Sequence, residues 1–225
     1  MLLAIDTSTS LVGAAVHDGD VLRSEVARED VRRHGELLAP AVQAALGEAG
    51  CSRRDVTVVA VGVGPGPFTG LRVGVVTALV LGHVLGVPVH GLCSLDAMAA
   101  DAATSASAPA DLLVATDARR KEVYWARYAV SGGLARRVQG PGVARATDLP
   151  EDLRGLPAVG RGPDLYPEAL HGIPGPRDVR PGALASLAVR ALAGHGPDTV
   201  LLPPEPLYLR RPDAVAAAPA GARAR

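Results

Sequence analysis

The stretch spanning residues 61–86, VGVGPGPFTGLRVGVVTALVLGHVLG, constrains this chain more than any other. Residues 56–63 (VTVVAVGV) are a near-continuous β-branched run, the pattern of a strand covered on both faces as in a parallel sheet. Gly64-Pro65-Gly66-Pro67 breaks the run, because the prolines fix φ and remove donors while the glycines admit a close backbone or ligand. The helix predicted next starts near Thr69, a candidate N-cap, and stops by Pro88. Along it Gly70, Gly74, Ala78, Gly82 and Gly86 recur every fourth residue, so one row is nearly bare of side chains. An interior glycine costs roughly 1 kcal/mol against alanine, so the bare row implies a close neighbour, within the chain or across an interface. The other faces are Leu and Val, and a helix apolar all round needs more cover than one sheet supplies.

Composition narrows the class. The chain has 225 residues, 48% of them hydrophobic and 20% charged, which suits an α/β globule of one large domain or two small lobes. With one Phe and one Trp, its core must be built from Val, Leu and Ala. Basic and acidic residues balance at 23 each, so no overall field draws the chain to nucleic acid or anionic lipid. Cys51 and Cys93 lack CxxC spacing, and no two histidines stand four apart, which argues against a disulfide framework or a metal site. His83, inside the apolar helix, reads as a hydrogen-bonded core residue. The opening MLLAIDTSTS has no basic n-region and reaches Asp6 too soon for a signal peptide. The apolar run 73–87 falls short of the roughly 20 residues of a membrane span, so a cytoplasmic protein is expected.

In chain order, residues 2–5 and 11–16 read as strands around an acidic, hydroxyl-rich turn, residues 28–33 as a solvated charged stretch, and residues 34–49 as an amphipathic helix ending at Gly50. Residues 87–92 form a further strand and 95–103 a short helix. The small, Pro-containing segment 104–110 marks a linker between a first lobe, 1–103, and a second, 111–205, with 206–225 as an exit segment whose last residues fray. The second lobe begins as the first does: Leu113-Val114-Ala115-Thr116-Asp117 echoes Leu2-Leu3-Ala4-Ile5-Asp6. A strand at residues 158–159 and a helix over 182–193 follow. The echo suggests a duplicated fold of the actin, Hsp70 and sugar-kinase type, with paired turns facing a cleft.

Asp6-Thr7-Ser8, the run Gly64-Pro65-Gly66-Pro67-Phe68-Thr69-Gly70-Leu71-Arg72, the segment 117–124 (DARRKEVY) and the late Pro206-Leu207-Tyr208-Leu209-Arg210 together resemble the TsaB (YeaZ) family over residues 1–211. The family's commoner form has Ser at Pro67. The resemblance implies an α/β, two-lobed actin-like ATPase (ASKHA) fold, each lobe a mixed sheet flanked by helices. It also implies a non-catalytic role in bacterial tRNA threonylcarbamoyladenosine (t6A) synthesis, at position 37 of the tRNA. The implied partners are a TsaD-type catalytic subunit and a TsaE-type ATPase, with tRNA engaged through the complex, a homodimer when the partner is absent, and no required cofactor.

The residues also carry readings of their own. Asp6, Thr7 and Ser8 can hold a metal-bound phosphate or close an Asx-turn. Gly64, Gly66, Gly160 and Gly162 can admit a phosphate or adenine, or serve structural turns. After Asp117 the turn has no glycine, and Arg119, Arg120 and Lys121 crowd the place of a phosphate loop; they form a solvated turn or a small anion or RNA patch. Arg72, in the first turn of its helix, calls for a carboxylate such as Asp6. Leu37, Leu38, Ala41, Val42 and Ala45, with Leu71, Gly74, Val75, Ala78, Leu79 and Gly82, are the expected partner-binding helical residues, packing as a four-helix interface. Two other readings are an active ASKHA-type ATPase or phosphotransferase, and an M22-type glycoprotease-like peptidase, which the missing metal spacing and nucleophile disfavour.

Overall fold

The computed structural model describes residues 1–29, 34–194 and 200–210. Two five-stranded mixed sheets stand one behind the other. In the first, β1 (Leu2–Asp6) pairs antiparallel with β2 (Leu11–His17), which pairs antiparallel with β3 (Leu22–Glu29); on its other side β1 runs parallel to β4 (Val58–Gly62), and β4 to β5 (Val89–Leu92). The second is built from β6 (Asp111–Asp117), β7 (Glu122–Ser131), β8 (Leu134–Arg145), β9 (Pro157–Val159) and β10 (His171–Gly172). Its order, β10-β9-β6-β7-β8, repeats that of the first, β5-β4-β1-β2-β3. The echo between residues 2–6 and 113–117 therefore marks equivalent central strands, β1 and β6, and the fold is two-lobed and actin-like.

Strand alternation sets the layers. Leu3 and Ile5 of β1 face α1 (His34–Glu48) and α2 (Phe68–Leu85), whereas Leu2 and Ala4 face the layer between the sheets. In β6, Leu112 and Val114 point into that same middle layer, while Leu113 and Ala115 pack outward against Leu149, Ala158 and Leu170. Both central strands are thus buried on both faces, as their unbroken apolar runs require. The middle layer is two helices, α3 (Ser94–Ala103) and α6 (Pro181–Leu192), and they are crossed relative to the chain. Helix α3 follows the first sheet yet packs on β6, β7 and β8; α6 follows the second yet packs on β1, β2 and β3. Residues 104–110 lead from α3 into β6.

Helix α2 turns its bare row inward. A Cβ at Gly74 would overlap Thr7 Oγ1, and one at Gly82 would overlap Val89 Cγ2, while Ala78 between them is fully buried. The glycine row therefore serves an intrachain approach, of α2 to its own sheet. The helix begins at Phe68, with Pro67 rather than Thr69 at the N-cap, and ends at Gly86 in the left-handed conformation (φ 67°) rather than at Pro88. Pro67 offers the first turn no side-chain acceptor, which a serine there would. His83 is exposed, not core, because the side of α2 away from the sheet has no neighbour among the described residues that covers it. The other differences are edge strands. Charged residues on β3 (Arg23, Glu25, Arg28, Glu29) and Pro141 in β8 hide the strand pattern, and both are features edge strands tolerate. Residues 30–33 of the charged stretch and 211–225 of the tail lie outside the described residues.

Glycine-to-alanine changes test the inward row. Alanine raises helix propensity, but the clashes with Thr7 and Val89 outweigh that gain, so Gly74→Ala and Gly82→Ala should each destabilise the chain by about 1–3 kcal/mol. Gly47→Ala on the exposed side of α1, where an added Cβ meets nothing, should be neutral or stabilising, both read from thermal melts.

Candidate functional site

The paired turns meet at a cleft of about 390 Å³ between the lobes, lined by Ser8, Thr9 and Ser10 after β1, Pro67, Thr69 and Gly70 at the start of α2, Thr116, Asp117 and Arg119 at the end of β6, and Arg161, Arg177 and Asp178. Asp6 is not part of this lining. Its carboxylate is completely buried: Oδ1 accepts from the Ser8 backbone N–H (2.8 Å) and hydroxyl (2.7 Å), and Oδ2 accepts from the Ser94 hydroxyl (2.9 Å). This is the Asx-turn arrangement, extended by Ser94. Ser94 in turn accepts from the Gly64 N–H (3.1 Å), and its own N–H donates to the Gly64 carbonyl (2.8 Å). Thr7 donates to the Gly70 carbonyl (2.7 Å). Asp6, Thr7 and Ser94 thereby fix the lead-in to α2. Burial, with a smaller contribution from Asp178, pushes the Asp6 carboxyl up to about 6 against its three hydrogen bonds.

The candidate glycines are packed by protein. Gly66 lies on the Ser8 backbone and Gly64 against Leu71, while Gly160 and Gly162 lie on the backbone of Ala115, which lets the start of α5 (Arg161–Leu165) close onto β6. At the second turn the Asp117 carboxylate accepts from the Arg119 N–H (2.7 Å) and pairs with the Arg119 guanidinium (3.1 Å). Arg119, Arg120 and Lys121 all have positive φ, 61°, 53° and 63°, a left-handed turn that glycine would adopt without strain. Both turns of the cleft thus have their acidic residue engaged by groups of the chain itself. Among the described residues no three His, Cys, Asp or Glu side chains cluster as metal ligands.

Three of the motif segments converge beside the cleft. The Tyr124 hydroxyl donates to the Gly66 carbonyl (3.4 Å), the Leu207 N–H to the Val63 carbonyl (2.8 Å), and Arg210 pairs with Glu122 while donating to the Ala118 carbonyl (3.2 Å). Phe68 stacks on Tyr208 with ring centroids 5.1 Å apart. Arg72 does not reach Asp6; its guanidinium lies 4.4 Å from the Phe68 ring centroid, a cation–π contact at the surface. Arg161 and Asp178, which pair at 2.7 Å, escape sequence reading because no spacing links positions 17 residues apart.

Most of the expected partner-binding residues are used within the chain. Leu38, Ala41, Val42, Ala45, Leu71, Gly74, Val75, Ala78 and Gly82 are buried, because they line the contacts among α1, α2 and the first sheet; Leu37 is half-buried. Leu79 is exposed, and the outer face of α2 continues through Val76, Val80 and Val84, which are 56%, 55% and 70% exposed. That row lies on the side of the helix opposite the bare one.

Comparison with known proteins adds a family, three relatives and a solved structure. A family model described as TsaD, tRNA N6-adenosine threonylcarbamoyltransferase, matches residues 22–163. An uncharacterized protein of Mycobacterium tuberculosis is 44% identical over 216 residues, covering 95% of this chain and 93% of the relative. The tRNA threonylcarbamoyladenosine biosynthesis protein TsaB of Escherichia coli is 38% identical over 129 residues, 56% of this chain and 54% of that protein, and the Bacillus subtilis TsaB is 31% identical over 137 residues, 61% and 58%. Among solved structures, YeaZ from Pseudomonas aeruginosa superposes with a TM-score of 0.78 at 29% identity, over 92% of this chain and 99% of that one.

The buried carboxyl gives a pH test. Asp6 keeps its proton up to about pH 6 in the folded chain, against 3.8 ordinarily, so its contribution to stability is full below about pH 4 and is lost as pH rises to 6. The unfolding free energy of the wild type relative to Asp6→Asn, read from denaturant unfolding at each pH, should fall across that window and level off above it, by about 3 kcal/mol in all. The strained turn gives a second test: Lys121→Gly should raise stability by about 1 kcal/mol in urea unfolding, since glycine adopts φ 63° at no steric cost.

Proposed function

The chain belongs to the TsaB (YeaZ) family, and from that premise we propose that it is a non-catalytic interaction subunit in bacterial t6A synthesis, supporting a TsaD-type catalytic subunit in the cytoplasm. The observation that carries the reading is the exposed apolar row of α2, Val76, Leu79, Val80 and Val84. A soluble chain rarely leaves such a row uncovered on one helix unless another protein covers it. The exposed Phe68–Tyr208 stack, with Arg72 upon it, sits at one end of the same face, and aromatic and arginine side chains are the residue types that anchor interfaces. In this reading α1 and α2 pack against the equivalent helices of the TsaD-type partner, a homodimer forms through the same face without it, a TsaE-type ATPase is the third component, and tRNA is engaged through the complex. The length and apolarity of α2 would also satisfy a membrane-span test, but its inner side is committed to the first sheet.

The cleft supports the non-catalytic part of the proposal. A phosphate-transferring relative needs bare backbone and a carboxylate facing the cleft. Here Asp6 is turned inward, Asp117 is paired with Arg119, and the glycines are spent on packing. Steady-state ATP turnover by the isolated chain that disappears in Asp117→Ala would favour the ATPase reading instead.

The interface test uses positions chosen by exposure. Val80→Glu and Val84→Glu should leave the melting temperature unchanged yet weaken association with the TsaD-type partner of the same organism by at least a hundredfold, because the charge is desolvated only in the complex. Ala78→Glu should unfold the chain, since Ala78 is fully buried within it. Undiminished association in both valine variants, measured by calorimetry and light scattering, would remove α2 as the contact face.

A further inference from the structure

Strand β3 is an edge strand, paired on one side only, and its two faces meet different parts of the molecule. On one face the Ser24 hydroxyl donates to the Ala45 carbonyl of α1 (2.6 Å), and Val26 is buried in the core that α1 shares with the first sheet. On the other face, four residues apart, stand Glu25 and Glu29. Each receives an arginine from the chain that follows the second sheet or belongs to it. Arg180 pairs with Glu25 (2.5 Å), whose other oxygen accepts from the Gly182 N–H in the first turn of α6 (3.0 Å). Arg161, at the start of α5, pairs with Glu29.

Arg161 is held in place for that contact. Its Nε donates to both Asp178 oxygens (3.0 Å each) and its Nη2 to Oδ2 (2.7 Å). The Asp178 side chain is 10% exposed and also accepts from the Ser10 N–H (3.3 Å) in the turn after β1. The guanidinium is therefore oriented before Glu29 engages it, which is the condition under which an ion pair retains value near a surface. Arg180 stands beside Asp101 of α3 as well (3.8 Å).

We propose that Arg161 and Arg180 form a two-point electrostatic strap that fixes β3 to the start of α5 in the second lobe and to the start of α6 in the shared middle layer and, through the opposite face of the strand, sets the order of α1. Its Arg161 end joins the two lobes at the rim of the cleft, so a change in how the lobes sit is transmitted to α1 through one strand. The strand can transmit it because it is thin: the residues gripped by the arginines and the residues gripped by α1 alternate along a single backbone. The bearing of the strap on complex formation rests on the function proposed above; the strap itself does not, and its test needs no partner.

Hydrogen–deuterium exchange of the full-length chain reads it. Arg161→Ala should raise amide exchange in β3 and α1 about tenfold, and Glu29→Gln, a milder change at an exposed end, should raise it a few-fold, with β6 and β7 unchanged. Raising salt to about 1 M should do the same to the wild type and add nothing to an Arg161→Ala/Arg180→Ala double variant, because exposed pairs are screened at that strength. Unchanged exchange in β3 and α1 of folded variants would overturn the proposal. An equal rise in every element would also overturn it, by showing that the pairs support global stability alone. If the strap behaves as proposed while Val80→Glu and Val84→Glu associate normally, the interface reading fails and the strap stands.

Discussion

The structure depends on a single shared layer. Each sheet has a central strand that is apolar on both faces, and on the inner side each must be covered by helices that the two lobes hold in common. Because α3 belongs in sequence to the first lobe and packs on the second, and α6 does the reverse, neither sheet keeps its inner cover if the lobes separate. The burial of Met98, Leu95, Leu184 and Leu187 between the sheets therefore stabilises both lobes at once. The lobes are a duplicated pair in topology and one cooperative unit in energy.

That coupling explains the state of the cleft. Turns that face each other across a hinge can open around a ligand only if few contacts bind them together. Here the turn after β1 is stitched to the lead-in of α6 by the Ser10–Asp178 and Val179–Thr9 hydrogen bonds, and the start of α2 is tied to β1 by Asp6, Thr7 and Ser94. The acidic residues of both turns, Asp6 and Asp117, hold the geometry of those turns. A buried Asp6 raised to about 6 and a run of three left-handed residues at Arg119 are both local costs, borne because the surrounding contacts over-determine the geometry.

Helix α2 joins the two themes. Its bare row lets it lie close on β1 and β5, and the same close approach tips the opposite side, with Val76, Val80 and Val84, outward. A helix of ordinary side chains would stand further from the sheet and would need α1 to reach around it. The apolar surplus visible in its composition is thus divided by geometry into an inner row that folds the chain and an outer row left exposed.

The sequence by itself determined the strand–turn–helix unit at residues 56–86, the presence of α1, the equivalence of β1 and β6, and the family, because each rests on local periodicity or on contiguous motif residues. It could not separate the inner row of α2 from the outer one, since a helix with Leu or Val on every side has no periodic signal to say which side meets the sheet. The same limit placed His83 in the core and counted Ala78, which is fully buried in the chain, among the partner-binding residues while leaving out the exposed Val80 and Val84. Edge strands β3 and β8 were illegible because the charges and proline they carry are what an edge tolerates and a pattern search rejects. The pairing of Arg161 with Asp178 and Glu29, the inward turn of Asp6, and the crossing of α3 and α6 were decided only in three dimensions. Each joins residues far apart in the chain, and side-chain partners at that range are fixed by how the layers stack, not by any spacing along the backbone.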